Sequence, residues 1–149
     1  MASSAVIRIQ GLRYALPMLS VLRVVSAVEV TAFPAGPETF LGVVDIAGEI
    51  IPVVDLRFVL GTQRRDIDLD DVMVAIETSN AKLVLPVDAV EGVVDLASAS
   101  HSGSGDVHAR CIGSFLHDDN GIIFGIDVDR IVSTEEIAAF GSSPSNAAS

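Results

Sequence analysis

Cys111, with His101, His108 and His117 around it, is the first place in the chain where chemistry could reside. A thiol beside an imidazole is the pair that nucleophilic catalysis uses, and Cys with His is the donor set of structural zinc. The spacing carries neither reading. His108 and Cys111 are three residues apart, and on a strand such positions point to opposite faces; the four residues together match no common zinc-finger spacing. Cys111 therefore reads as a small buried hydrophobe, and a single cysteine excludes an internal disulfide. The run Asp66-Ile67-Asp68-Leu69-Asp70-Asp71, with Glu77 beyond it, spaces its carboxylates like a calcium loop. Asp71 stands where such a loop needs glycine and no helix flanks the run, so it reads as a solvated connector. Asp45, Glu49 and Asp55 could pair as acid and base, yet nothing else that hydrolysis needs accompanies them, and they read as turn and barrel-rim groups. Phosphate-binding, nucleophile-elbow and zinc-protease motifs are absent from the sequence. The expectation is a protein without catalytic, cofactor-binding or metal-binding residues.

The elements that must position any functional residue are short. Apolar residues make up 50% of the 149 residues, enough for the core of one ordinary domain. The net charge of -11 disfavours nucleic acid and anionic membrane surfaces as partners and leaves proteins or small molecules. The most apolar stretch, Leu41 to Leu60, contains Asp45, Glu49, Pro52, Asp55 and Arg57, which argues against membrane insertion. Arg8 and Arg13 interrupt the only candidate signal sequence, so a cytoplasmic protein is expected.

Val- and Ile-rich runs broken by Gly, Pro, Asp and Asn predict a mainly β chain. Strands are expected at Ala5 to Gln10, Leu12 to Leu16, Leu22 to Glu29, Thr39 to Ile46, Glu49 to Leu56, Asp71 to Glu77, Lys82 to Val87, Val90 to Leu96, Ala109 to His117 and Gly121 to Asp127. Short helical segments are expected at Leu19 to Val21, Leu56 to Leu60 and Val128 to Ile131. A further helix, 133–140, begins at Ser133, which with Glu136 forms a capping box, and Ile137 and Phe140 share its inner face. Asn120-Gly121 and Ala47-Gly48 are expected to make tight hairpin turns. Ser98 to Gly105 reads as a flexible loop, and 141–149 as a disordered tail.

The chain also repeats itself. YALPMLSVLRVV (14–25) returns as LVLPVDAVEGVV (83–94), and IIPVVDL around Asp55 is echoed by IIFGIDV around Asp127. Approximate repeat units are 12–65 and 81–132. Each is too small to be comfortable alone, so the pair is expected to share a hydrophobic seam, each unit forming a barrel of about five strands.

These segments, in this order, resemble the chemotaxis coupling protein CheW and its CheW-like domains across about residues 4 to 140. The resemblance rests on YALPMLSVLRVV, the Pro34 and Pro37 segment leading into FLGVVDIAGEIIPVVDLRFVLG (40–61), LVLPVDAVEGVV, and GSFLHDDNGIIFGIDVDRIVSTEEIAAF (113–140). It implies a single CheW-like domain of two pseudo-symmetric five-stranded SH3-like β-barrels with short helices and a C-terminal helix. It further implies a non-catalytic adaptor that joins the regulatory domain of a chemotaxis histidine kinase to the cytoplasmic tip of methyl-accepting receptors, within membrane-attached arrays. Alone, the protein is expected to be a monomer. Two departures stand out. Where the family commonly reads GVxNLRGEIIPVxDLR, this chain has Asp45 for the Asn and Ala47 for the receptor-coupling Arg, and Arg23 stands where the family often has Glu. Loss of a buried interfacial Arg could cost about 2 to 5 kcal/mol unless compensated. A CheW-like module of a divergent chemosensory pathway, controlling surface motility or gene expression, is the alternative. The expected protein-binding residues are Val21, Arg23, Val24, Asp45, Ala47 and Gly48.

Overall fold

The computed structural model describes residues 3–32, 36–95 and 110–141. Chain order runs β1 (Ser3–Ile9), β2 (Leu12–Pro17), a 3-10 turn (Met18–Ser20), β3 (Val21–Ser26), β4 (Thr31–Ala32), β5 (Phe40–Ile46), β6 (Glu49–Val54) and helix α1 (Leu56–Leu60). It continues through β7 (Val72–Glu77), β8 (Lys82–Val87), β9 (Ala89–Asp95), β10 (Ile112–Asp118), β11 (Gly121–Ile126), a 3-10 turn (Val128–Arg130) and helix α2 (Thr134–Gly141). Each expected strand has a counterpart among the described residues, with Leu96 and Ala109, expected as strand ends, lying outside them. The helical segments fall where capping chemistry puts them. Asp55 accepts a hydrogen bond from the Phe58 amide at 3.2 Å and Gly61 ends α1 in the left-handed region (φ 72°). Ser133 and Glu136 make the reciprocal capping box at 3.0 and 2.8 Å.

The strands form one sheet in the order β10-β11-β2-β1-β9 and another in the order β3-β7-β8-β6-β5-β4. The second sheet has six strands, because the two-residue β4 adds to the expected five. The pairing registers repeat. Ile7 faces Tyr14 between β1 and β2 as Ile76 faces Leu83 between β7 and β8. Parallel contacts join β2 to β11 (Ala15 to Gly125) and β8 to β6 (Val84 to Val53). The sheets do not divide the chain where the sequence repeats divide it. After β2 the chain crosses to the second sheet, and after β8 it crosses back. Each sheet thus holds strands from both repeats.

This exchange explains why the central strands are apolar without interruption. Side chains alternate between faces, so a strand buried on both sides reads as a continuous hydrophobic run. Met73 and Ala75 fill the interior of the second sheet with Val44, Ile51, Val53 and Val84. Their neighbours Val74 and Ile76 face a core shared by the two sheets, with Ile7, Ile9, Tyr14, Leu16, Leu83 and Leu85. Val6, Ala15, Leu116 and Ile123 form the smaller interior of the first sheet. Ile137 and Phe140 of α2 pack on the shared core, Phe140 stacking at 4.4 Å on Phe40.

The connector before β7 departs from the solvated run expected of it. Asp71 is buried and takes both terminal nitrogens of Arg65 at 2.7 and 2.9 Å, while Ile67 packs against the interior of the second sheet. Burial pushes the Asp71 carboxyl up, but Arg65 and the Asp68 amide outweigh it and hold it below the usual carboxylate range. Asp88, at the crossover between β8 and β9, accepts from Arg57, from Arg65 at 2.8 Å and from the Gln10 amide at 2.7 Å, tying the two sheets together. The second hairpin also differs. Its turn residues are Asp119 and Asn120, with positive φ only at Gly121 (122°), and the Asp118 carboxylate accepts from the Asn120 amide at 2.9 Å.

Candidate protein-interaction surface

The β5–β6 hairpin turns at Ala47 (φ 53°) and Gly48 (φ 88°), both left-handed, the turn type whose twist matches that of the flanking strands. Asp45 fixes the turn by accepting the Gly48 amide at 2.9 Å. Asp45, Ala47, Gly48 and Glu49 are all exposed. Across the end of the same sheet runs β3, an edge strand that among the described residues is paired only on its β7 side. Its register shifts between Val21 and Arg23, leaving Leu22 as the bulged residue. Leu22 is 46% exposed and Val24 47%, an apolar edge of the kind that protein partners cover.

Turn and edge strand meet at a pocket of about 270 Å³ lined by Leu22, Arg23, Ile46, Ala47, Glu49, Ile51, Ala75 and Lys82. Of the residues the sequence singled out, Arg23 and Ala47 are brought together here. Asp45 and Gly48 shape the turn beside the pocket. Val24 lies on the exposed edge, whereas Val21 is half-buried against the shared core. Leu22, Ile46, Ile51 and Lys82 were not anticipated. Ile46 and Ile51 read as ordinary alternating core residues, and the bulge at Leu22 has no local signal.

The remaining candidates are occupied structurally. Glu49 pairs with Lys82 at 3.0 Å, and Asp55 holds Arg64 at 2.8 Å besides capping α1. Cys111 is buried in the shared core, and burial pushes its thiol up to about 11. His117 is exposed on β10. His101 and His108 lie outside the described residues, as do the Ser98 to Gly105 segment and the tail beyond Gly141. No described helix is long and apolar enough to cross a membrane.

At the corresponding end of the first sheet, Arg13 on β2 binds Asp118 through both terminal nitrogens at 2.8 Å each and Glu91 of β9 at 3.1 Å. Arg8 also pairs with Glu91. The Arg13 guanidinium, then the Asn120 amide, hold the Asp118 carboxyl far below the usual range. Arg8 and then Arg13 lower Glu91 against a smaller opposing effect of burial.

Comparison with known proteins agrees with this architecture. The family model of the CheW-like domain matches residues 4–136. A probable chemotaxis protein CheW of Rhizobium etli is 24% identical over 136 residues, covering 89% of this chain and 88% of that protein. The crystal structure of the scaffolding protein TtCheW from Thermoanaerobacter tengcongensis superimposes with a TM-score of 0.74 at 27% identity, over 85% of this chain and 88% of that one. With a family match running from β1 into α2 and a shared two-sheet architecture, this chain belongs to the CheW-like domain family.

Proposed function

We propose that this protein is a non-catalytic adaptor that couples methyl-accepting chemoreceptors to the regulatory domain of a chemotaxis histidine kinase, on the cytoplasmic side of membrane-attached arrays. The observation that carries the reading is the family match across residues 4–136. The geometry suits the role. A single shared core makes a stiff module, and the exposed edge at Leu22 and Val24 with the adjoining pocket offers a partner apolar contact ringed by charge. Val21, Arg23, Val24, Asp45, Ala47 and Gly48 belong to or border this surface in the proposal. Isothermal titration against a receptor signalling-tip fragment and, separately, the kinase regulatory domain tests it. Dissociation constants on the order of micromolar for both support the adaptor; binding to neither overturns it.

A second reading is favoured by Ala47 and Arg23, which change the charge around the pocket from what the family resemblance implies. In that reading the module serves a divergent chemosensory pathway, and kinase binding without receptor binding in the same titration supports it.

A further inference from the structure

The helical turn that follows a hairpin of one sheet lies near a hairpin tip of the other, and the two junctions correspond in sequence. Asp55 and Asp127 both cap the turn they begin, so Arg57 in IIPVVDLR stands where Asp129 stands in IIFGIDVD. At the Asp129 junction the polar groups meet directly. The carboxylate accepts from the Ser79 amide at 2.8 Å and the Ser79 hydroxyl at 2.9 Å, at the tip of the β7–β8 hairpin. At the Arg57 junction the charge is reversed. The Gln10 amide, at the tip of the β1–β2 hairpin, donates to Asp88 at 2.7 Å instead. There the molecule has a pocket of about 230 Å³, lined by Gln10, Arg57, Gln63, Arg64, Arg65 and Asp88.

Hydrogen-bond donors outnumber acceptors in this pocket. The Arg57 side chain is only 5% exposed, yet among the described residues it donates to Asp88 alone, through one terminal nitrogen. A guanidinium donates through every nitrogen, and buried N–H groups without a protein acceptor are met in folded proteins by water or a ligand. Arg65 uses its terminal nitrogens on Asp66, Asp71 and Asp88, which leaves Nε. Arg64 gives Nε to Asp55 and has only the exposed Glu38, at 3.6 Å, near a terminal nitrogen. Gln10 accepts the Gln63 amide at 3.2 Å with its side-chain oxygen, leaving the side-chain nitrogen to donate. Asp88, the carboxylate of the pocket, already accepts from Arg57, Arg65 and Gln10.

We propose that this pocket binds a small tetrahedral oxyanion of the phosphate and sulfate kind, held by Arg57, Arg64, Arg65 and the Gln10 side-chain amide. Donors from three segments, the β1–β2 turn, α1 and the connector, suit a tetrahedral ion, whereas a planar carboxylate is matched by a single guanidinium fork. Asp55, Asp71 and Asp88 already balance the three guanidiniums, and the net charge of -11 opposes any anion. The ion is therefore held by directed hydrogen bonds, with a dissociation constant on the order of millimolar. Bound there, it joins the hairpin tip of the first sheet to α1 and the connector of the second, and so stabilises the packing of the two sheets.

The test is a titration of the full chain with inorganic phosphate, followed by the backbone amide and arginine Nε–H signals in nuclear magnetic resonance spectra, with chloride at matched ionic strength as the control. The expected result is a saturable shift centred on Gln10, Arg57, Gln63, Arg64 and Arg65, accompanied by a rise in Tm that chloride does not produce. Arg64→Gln and Gln10→Gly are the variants. Arg64 is exposed and Gln keeps an amide donor for Asp55, while Gln10 has a φ of 54° that glycine adopts freely, so both fold, as melts without phosphate check. Each is expected to weaken phosphate binding about fivefold. Signals that do not move, that shift without saturating, that respond equally to chloride, or that titrate unchanged in both variants would overturn the assignment and leave the pocket to water.

Discussion

Leu85 is fully buried in the core shared by the two sheets, and its replacement by alanine tests whether that core makes them one cooperative body. Truncation removes three carbon groups from a site with no solvent access. At roughly 0.8 kcal/mol per group the transfer loss is about 2.4 kcal/mol, and the residual cavity brings the total to about 3 kcal/mol. For a chain of this size that corresponds to a fall in Tm of roughly 6–12 °C. The assay exploits an accident of composition. The chain has one Tyr and no Trp, and that residue, Tyr14, lies on β2 of the first sheet while Leu85 lies on β8 of the second. Tyrosine fluorescence therefore reports unfolding of one sheet in response to damage in the other. Far-UV circular dichroism reports both. The shared core predicts that the two signals shift together and remain superimposable. A Tyr14 transition that stays at its wild-type temperature while the dichroism signal moves or splits would refute the reasoning.

Three further outcomes are expected. The folded-state carboxyls of Glu91, Asp118 and Asp71 are lowered by Arg8, Arg13 and Arg65, so their stabilisation is complete above their unfolded values and is lost as pH falls. Tm should be flat near neutrality and decline below about pH 4, with calorimetry across pH as the check; a Tm rising on acidification would contradict the ion-pair assignments. Gly42 (φ 149°) lies against the Thr31 carbonyl, and Gly42→Ala should cost roughly 2 kcal/mol or more, read by urea denaturation, because a Cβ there overlaps backbone of β4. Ala47 carries a left-handed φ of 53°, so Ala47→Gly should stabilise by about 0.5 to 1 kcal/mol; a loss of stability would show that the turn has another conformation in solution.

How much of this was legible in the sequence follows from the range of the forces involved. Asp55, Gly61 and the Ser133 and Glu136 pair act within a turn of their own helices, and those helices lie where local chemistry places them. The strands were legible because both faces of β7 and β8 are buried, so Val72 to Ile76 and Leu83 to Val87 are apolar throughout. The short β4 was not. It exists only because Gly42 lets Thr31 and Ala32 approach β5, a contact with no local signal. The assignment of strands to sheets was also beyond local reading, since the repeat pattern fits either a separate or an exchanged arrangement. At the surface, Arg23 and Ala47 were visible as departures from a family pattern. Their convergence on one pocket with Leu22, Ile46 and Lys82 depends on pairing between residues distant in sequence.

The central claim is that this module joins two partners at once. Sedimentation velocity of an equimolar mixture with the receptor-tip fragment and the kinase regulatory domain tests it directly. The adaptor account predicts a three-component species that disappears when this protein is omitted. Binary complexes that compete with one another, or free components throughout, would contradict it.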